Sequence, residues 1–114
     1  MGAEFVSHIR EGDHEAAGWS SSMYGVSKLL EIAYTKALAR DLAKAADGET
    51  HSIAVHAVCP GWCSTSMSSH KGPRSADKGA ETPLWLATAT PAELEAAKGP
   101  ATGGFWVDKA PKEW

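Results

Sequence analysis

The sequence predicts an α/β fold in which helices and strands alternate along the chain. A helical pattern of apolar residues follows three serines that can cap a helix, and a short apolar run then ends in Pro60-Gly61. A second apolar run, Phe105 to Val107, lies near the end of the chain. Helices alternating with short apolar strands are typical of a parallel sheet. The 114 residues suit one domain, and 43% hydrophobic with 22% charged residues is an ordinary globular composition.

The first helix is predicted near residues 22 to 46. Apolar residues recur there at helical spacing, namely Val26, Leu29 or Leu30, Ala33, Ala37, Leu38 and Leu42. Asp47 and Gly48 supply a stop signal. Residues 1 to 19 are polar and interrupted by glycines, so we expect a loop or insert with one helical turn around Phe5 to Ile9.

The remainder, residues 20 to 114, is predicted to form helix, strand, helix and strand. Ser52 to Cys59 is apolar on both faces, which favours a buried parallel strand. The other predicted segments are a loop over 62 to 74, a helix over 75 to 89 that must accommodate Pro83, a helix and loop over 91 to 104, the strand 105 to 107 and a polar tail over 108 to 114.

Two strands are too few for a covered parallel sheet, which typically has about five or six strands. Two strands cannot bury the inward faces of two helices and also pair their own edges. We therefore expect an incomplete sheet, equivalent to half of a domain. Residues 1 to 114 alone are expected to be marginally stable or to depend on an N-terminal half.

Charge and composition exclude several classes of protein. Eleven basic residues against fourteen acidic ones give a net charge of −3 without a basic stripe, so no nucleic-acid partner is expected. No apolar run approaches the roughly 20 residues of a membrane span, and no secretory signal is evident at the start. The two cysteines, Cys59 and Cys63, suit reduced thiols in a cytoplasmic protein.

Tyr24 and Lys28 are the strongest candidate catalytic residues. Residues four apart lie on one face of a helix, so the spacing places an ammonium beside a phenol. Such a charge stabilises the phenolate and eases proton transfer near neutral pH. The spacing alone is weak evidence, because exposed pairs of this kind are usually solvated helix surface. Its context adds weight, since ligands bind beyond the carboxyl ends of parallel strands and Pro60-Gly61 follows such an end.

Four motifs together resemble the short-chain dehydrogenase/reductases, especially the carbonyl reductases. They are Trp19-Ser-Ser-Ser-Met-Tyr-Gly-Val-Ser-Lys28, Cys59-Pro-Gly-Trp-Cys-Ser-Thr65, Lys78-Gly-Ala-Glu-Thr-Pro-Leu-Trp-Leu-Ala87 and Gly104-Phe-Trp-Val-Asp108. The resemblance implies the C-terminal half of a Rossmann-like doubly wound parallel sheet, and reduction of a ketone, aldehyde or quinone with NADP(H). It also implies a full-length parent that is monomeric.

The same resemblance assigns roles to individual residues. Tyr24 would be the general acid that protonates the carbonyl oxygen, and Lys28 would bind the nicotinamide ribose and assist Tyr24. The remaining cofactor-binding residues would follow the strand: Pro60 and Gly61 in the turn beneath the nicotinamide, the backbone of Trp62 and Cys63 at its carboxamide, and the Thr65 hydroxyl at its amide or the pyrophosphate.

Two departures from the family pattern leave alternatives open. No glycine-rich turn for the pyrophosphate is found, and the family's catalytic serine matches no residue here. A truncated, noncatalytic remnant of such an enzyme is therefore the main alternative. A metal module of His56, Cys59 and Cys63 is a weaker one, because His56 and Cys59 point to opposite faces of a strand and no fourth ligand is evident. No metal site is predicted.

Overall fold

The computed structural model describes residues 1–45 and 53–113. In chain order the elements are α1 (Gly2–Glu11), α2 (Met23–Ala45), β1 (Ala57–Cys59), a 3₁₀ helix (Ser66–Ser68), α3 (Ala76–Thr88), α4 (Pro91–Ala96), β2 (Phe105–Val107) and β3 (Ala110–Lys112). The chain divides into two compact units, Met1–Tyr34 and Thr35–Trp114.

The first unit contains α1 and the beginning of α2. Phe5 of α1 is buried and packs its ring against Trp19, with ring centroids 5.1 Å apart. Gly12 ends α1 in the left-handed conformation, with φ of 76°. The expectation of a loop with one helical turn over residues 1 to 19 was wrong for this segment, because the turn around Phe5 to Ile9 is part of a ten-residue helix.

Helix α2 agrees closely with its prediction over 22 to 46. The hydroxyl of Ser22 accepts the Gly25 amide at 3.1 Å, so one of the three serines does satisfy a free amide at the helix start. Val26 is buried in the first unit and Ala39 in the second. The predicted stop at Asp47 and Gly48 lies outside the described residues.

A three-stranded sheet organises the second unit, in the order β1, β2, β3. β1 and β2 are parallel, with Ala57 opposite Phe105 and Cys59 opposite Val107. An α/β fold with a parallel pair is thus confirmed. β1 is shorter than the predicted strand 52 to 59 and half-buried instead of buried, since no further strand covers it among the described residues.

The polar tail predicted over 108 to 114 was wrong. Residues 110 to 112 form β3, which pairs antiparallel with β2. Val107 lies opposite Ala110, so only Asp108 and Lys109 form the connection, and both have positive φ, 51° and 58°. A two-residue connection with two left-handed residues is the hairpin geometry that matches the twist of paired strands.

Helices α3 and α4 lie within their predicted segments. Ser75 caps α3 by accepting the Lys78 amide at 3.1 Å, and α3 continues through Pro83. Thr90 and Glu93 form a reciprocal capping box at the start of α4. No helix within residues 1–45 and 53–113 is long and apolar enough to cross a membrane.

Trp106 is the centre of the second unit, with 0% of its surface exposed. Its ring meets Trp85 of α3 edge-on, with centroids 5.3 Å apart. Its indole nitrogen donates to Nδ1 of His56 at 3.1 Å. Gly99 and Gly104 lie directly against the indole, where no Cβ would fit. β2 is therefore fixed to α3 and to the chain before β1 by one side chain.

Candidate functional site

Tyr24 and Lys28 lie together on the first turns of α2. The ammonium nitrogen of Lys28 is 5.6 Å from the centroid of the Tyr24 ring. The tyrosine side of the pair is open, because Tyr24 is 64% exposed. The structure therefore brings the two predicted catalytic residues into contact and leaves the phenol accessible to a ligand.

Glu31 is the neighbour that the motif alone does not reveal. The Lys28 ammonium donates to both carboxylate oxygens of Glu31, at 2.8 and 3.1 Å. This hydrogen bond raises the pKa of Lys28 above its ordinary value, and Tyr24 adds a smaller effect in the same direction. The sequence did contain a signal for this contact, since Lys28 and Glu31 are three residues apart and such residues are neighbours on a helix. The ammonium has three N–H donors, so it can hold Glu31 and still donate to another acceptor.

The Pro60-Gly61 bend follows directly after β1. Gly61 has φ of 79°, a conformation that side chains with a Cβ rarely adopt, so glycine is required here. The Cys63 thiol turns back to the bend and lies 3.4 Å from the Pro60 carbonyl oxygen. A Cβ on Gly79 would be 2.3 Å from this sulfur, so the absence of a side chain there lets Cys63 pack on α3. In contrast to Cys63, which packs on α3, Trp62 is 62% exposed.

The loop after the bend is held closed by its own backbone. Cys63 and Arg74 form a parallel bridge, in which Ser64 donates to the Arg74 carbonyl at 2.7 Å and Arg74 donates to the Trp62 carbonyl at 3.3 Å. Thr65 precedes the 3₁₀ helix, and its amide donates to the Ser68 hydroxyl at 3.1 Å. The predicted residues from Pro60 to Thr65 are therefore one ordered turn and loop at the carboxyl end of β1.

Arg74 and Asp108 were not among the predicted site residues. Both guanidinium Nη atoms bond the Asp108 carboxylate, at 2.6 and 3.0 Å, and Nη1 also donates to the Pro60 carbonyl at 3.1 Å. The hydrogen bond from Arg74 holds the pKa of Asp108 below its ordinary value. These residues are 34 positions apart, so no local spacing could have paired them.

His56 takes a structural role instead of the metal-binding one considered from the sequence. Its Nδ1 accepts the Gly104 amide at 3.2 Å and the Trp106 indole at 3.1 Å. Two donors on Nδ1 place the ring proton on Nε2. Burial lowers the pKa of His56, and the Ala101 carbonyl partly offsets this effect. The neutral ring is therefore the form that the fold requires.

A different group of potential metal ligands occurs in the first unit. His8, Glu11 and Asp13 offer ligand atoms within 4.8 Å of one another. His8 Nδ1 is already hydrogen-bonded to the Asp13 carboxylate at 2.8 Å, which raises the pKa of His8. This arrangement explains the three residues as an exposed ion pair with an acidic neighbour at the end of α1.

The predicted site residues thus form two sets. Tyr24 and Lys28 belong to the first unit, and the bend and loop from Pro60 to Thr65 belong to the second. Each set is ordered by contacts within its own unit. The first set offers a proton donor beside a cation, and the second offers backbone groups at the end of a parallel strand.

Comparison with known proteins reveals relatives over nearly the whole chain. Carbonyl reductase [NADPH] 1 of Sus scrofa is 40% identical over 111 residues, which cover 97% of this chain and 36% of the relative. The Homo sapiens enzyme of the same name is 37% identical, over 97% of this chain and 38% of the relative. Carbonyl reductase [NADPH] 3 of Rattus norvegicus is 40% identical, over 81% of this chain and 32% of the relative.

The chain therefore spans little more than a third of the length of the relatives it matches. No family model matches the sequence. The predicted resemblance is nonetheless confirmed, since carbonyl reductases from several mammals align with almost every residue of the chain. By sequence, this chain is similar over nearly its whole length to mammalian proteins named carbonyl reductase [NADPH].

Proposed function

We propose that this chain carries the catalytic pair and the nicotinamide-side contacts of an NADPH-dependent carbonyl reductase. The sheet would then be part of a Rossmann-like doubly wound sheet of the short-chain dehydrogenase/reductase type. The observation that carries the proposal is the exposed Tyr24 phenol beside the Lys28 ammonium, in a chain whose relatives are named carbonyl reductase [NADPH]. The substrate would be a small ketone, aldehyde or quinone.

The donor set on α2 fits a dinucleotide and a carbonyl substrate. Lys28 offers an ammonium to sugar hydroxyls while Glu31 holds it in place. Tyr24 offers an O–H donor on an exposed ring. NADPH, when bound, supplies a hydride to the carbonyl carbon.

Tyr24 would then complete the reduction by a proton transfer. As the carbonyl carbon gains hydride, its oxygen gains negative charge and the Tyr24 hydroxyl donates its proton to that oxygen. The products are an alcohol and a phenolate, and the Lys28 ammonium stabilises the phenolate until solvent returns the proton. This role needs the phenol and the ammonium on one helix face, as they are here.

The bend after β1 would meet the nicotinamide end of the cofactor. Pro60 and Gly61 would form the surface beneath the ring, and the backbone of Trp62 and Cys63 would meet its carboxamide. The Thr65 hydroxyl would reach the amide or the pyrophosphate. The ordered loop supports this assignment, because backbone contacts to a ligand need a backbone that is already fixed.

Two tyrosines on one helix give a matched test of the proposal. Tyr24 and Tyr34 both lie on α2 and are 64% and 68% exposed. The purified chain is mixed with NADPH and a reactive dicarbonyl, and cofactor absorbance is followed. Tyr24→Phe should lower turnover by a factor of about 10² to 10⁴, the usual contribution of a general acid, and Tyr34→Phe should leave turnover unchanged. If the unmodified chain turns over the dicarbonyl, equal turnover in the two variants would remove Tyr24 from the role.

A noncatalytic remnant of such an enzyme is the second candidate. It is favoured by the absence of a glycine-rich pyrophosphate turn from the 114 residues. A purified chain that is folded, shows no turnover and does not change the fluorescence of NADPH would support this candidate over the enzyme.

A further inference from the structure

Arg74 joins three separate parts of the second unit. Its guanidinium donates to the Pro60 carbonyl at the bend and, through two nitrogens, to the Asp108 carboxylate in the β2–β3 turn. Its own backbone bonds the loop at Trp62 and Ser64. No other residue from 53 to 113 has side-chain hydrogen bonds to both the bend and the hairpin.

Asp108 is a fixed anchor for this guanidinium. Asp108 and Lys109 form the hairpin turn, and aspartate is among the few residues that readily adopt its left-handed conformation. The Lys109 amide donates to the Thr82 hydroxyl at 3.2 Å, and Thr82 is only 4% exposed on α3. The hairpin turn that carries Asp108 is therefore tied to α3 through the Lys109 amide.

The bend is shaped around the same guanidinium. A Cβ on Gly61 would lie 3.0 Å from the Arg74 Cζ atom, closer than ordinary packing allows. Arg74 also lines a cavity of about 300 Å³ with Lys78, Glu81, Thr82, Asp108 and Lys109. This cavity lies at the carboxyl end of β2, next to the bend that follows the carboxyl end of β1.

We propose that Arg74 is a positioning residue, which holds the Pro60-Gly61 bend and the following loop in the form that meets the nicotinamide. The guanidinium does this by bridging the Pro60 carbonyl to the Asp108 carboxylate. A planar fork is needed for two bonds to a carboxylate and a third to a carbonyl, and a lysine ammonium lacks that geometry. The cofactor part of this inference rests on the proposed function.

The test compares the unmodified 114-residue chain with Arg74→Met, Arg74→Lys and Asp108→Asn. Asp108→Asn keeps a residue that tolerates positive φ, so the hairpin turn is preserved while its charge is removed. Lys78→Met is the matched control: it removes a cation from the same cavity, where Lys78 pairs with Glu81 at 2.7 Å and has no bond to the bend.

The first measurement is amide hydrogen exchange, which needs no cofactor. The Ser64 amide, bonded to the Arg74 carbonyl, should exchange about tenfold faster or more in Arg74→Met and Asp108→Asn, and the control should match the unmodified chain. The Ala57 amide, bonded to Gly104 across the sheet, reports on global unfolding and should not change. An unchanged Ser64 rate, or equal acceleration at Ser64 and Ala57, would overturn the inference.

The second measurement is the affinity for NADPH, read by its fluorescence. Arg74→Met should weaken binding about tenfold or more, Arg74→Lys should weaken it less, and Lys78→Met should have no effect. If the unmodified chain binds NADPH and Arg74→Met binds equally well, Arg74 has no positioning role and the proposed function stands. If the unmodified chain does not bind NADPH, the proposed function fails together with the cofactor role of Arg74.

Discussion

Replacing Gly99 by alanine tests how tightly the second unit is built around Trp106. A Cβ at position 99 would lie 1.9 Å from Cη2 and 2.3 Å from Cζ2 of the buried indole. Carbon atoms in contact are normally about 3.5 Å apart, so the ring or the backbone must move by about 1.6 Å. Trp85 and His56 flank the ring, with centroids 5.3 and 5.7 Å away, which limits that movement.

The expected cost follows from overpacking. Extra methyl groups in a well-packed core cost about 1 to 3 kcal/mol, and a required shift of this size places Gly99→Ala at the upper end, about 3 kcal/mol. With a urea dependence of about 1.5 kcal/mol per molar, the unfolding midpoint should fall by about 2 M. Urea unfolding followed by tryptophan fluorescence at 10 °C measures this shift. Gly2→Ala, where the new Cβ has 4.0 Å of clearance, is the control.

A second substitution separates overpacking from other causes. The clashing atoms Cη2, Cζ2 and Cζ3 belong to the outer ring of the indole, which phenylalanine lacks. Trp106→Phe should therefore relieve much of the penalty, and the double variant should be more stable than the sum of the single effects. A midpoint for Gly99→Ala within about 0.3 M of the unmodified chain, or strict additivity in the double variant, would refute the packing that the structure describes.

Two further predictions concern ionisable groups. Because burial lowers the pKa of His56, the unfolded chain binds this proton more tightly. The stability that His56 contributes should be fully present above the unfolded pKa of about 6.5 and should be lost as the pH falls towards the folded pKa. His56→Asn keeps an acceptor near the position of Nδ1, so its urea unfolding midpoint should depend less on pH in this range. Glu31→Gln should lower the pKa of Lys28, seen by NMR titration of its side chain, and an unchanged titration would exclude Glu31 as the main cause.

Local sequence signals predicted the helices well. α2 needed only a serine cap and a long periodic pattern, both of which operate within a few residues. α3 begins after Ser75 as its capping position suggests. α1 was underestimated, because half of its ten residues are polar and its single buried side chain, Phe5, packs on Trp19, fourteen positions away. A contact between residues so far apart in the sequence does not appear in the helical periodicity of α1.

The strands were harder to predict, because their extent depends on partners. β1 is three residues long although the apolar run is longer, since β2 supplies only three residues to pair with it. β3 was missed because Ala110–Lys112 contains a proline and a lysine, both of which weaken a strand prediction. They are tolerated on an edge strand, where one side of the ladder needs no donor.

The residues of the candidate site also divide into those with a local sequence signal and those that depend on distant partners. Tyr24 and Lys28 were predictable because four residues make one helical turn, and the bend was predictable because Pro60-Gly61 is a local turn signal. Arg74 and Asp108 were not, because their pairing depends on the hairpin that the sequence did not predict. The missed strand and the missed site residues therefore have one cause.

That shared cause links the β2–β3 hairpin to the bend that we propose meets the cofactor. The turn fixes the Asp108 carboxylate, the carboxylate orients Arg74, and Arg74 holds the Pro60 carbonyl at the bend. β1 and β2 are parallel neighbours, so the residues just after each strand lie at the same edge of the sheet, which is what allows one guanidinium to reach both. A substitution in the hairpin turn, such as Asp108→Asn, should therefore change the conformation of the Pro60-Gly61 bend although residue 108 is not part of the bend. A substitution at the C-terminal end of β3 should leave the bend unchanged.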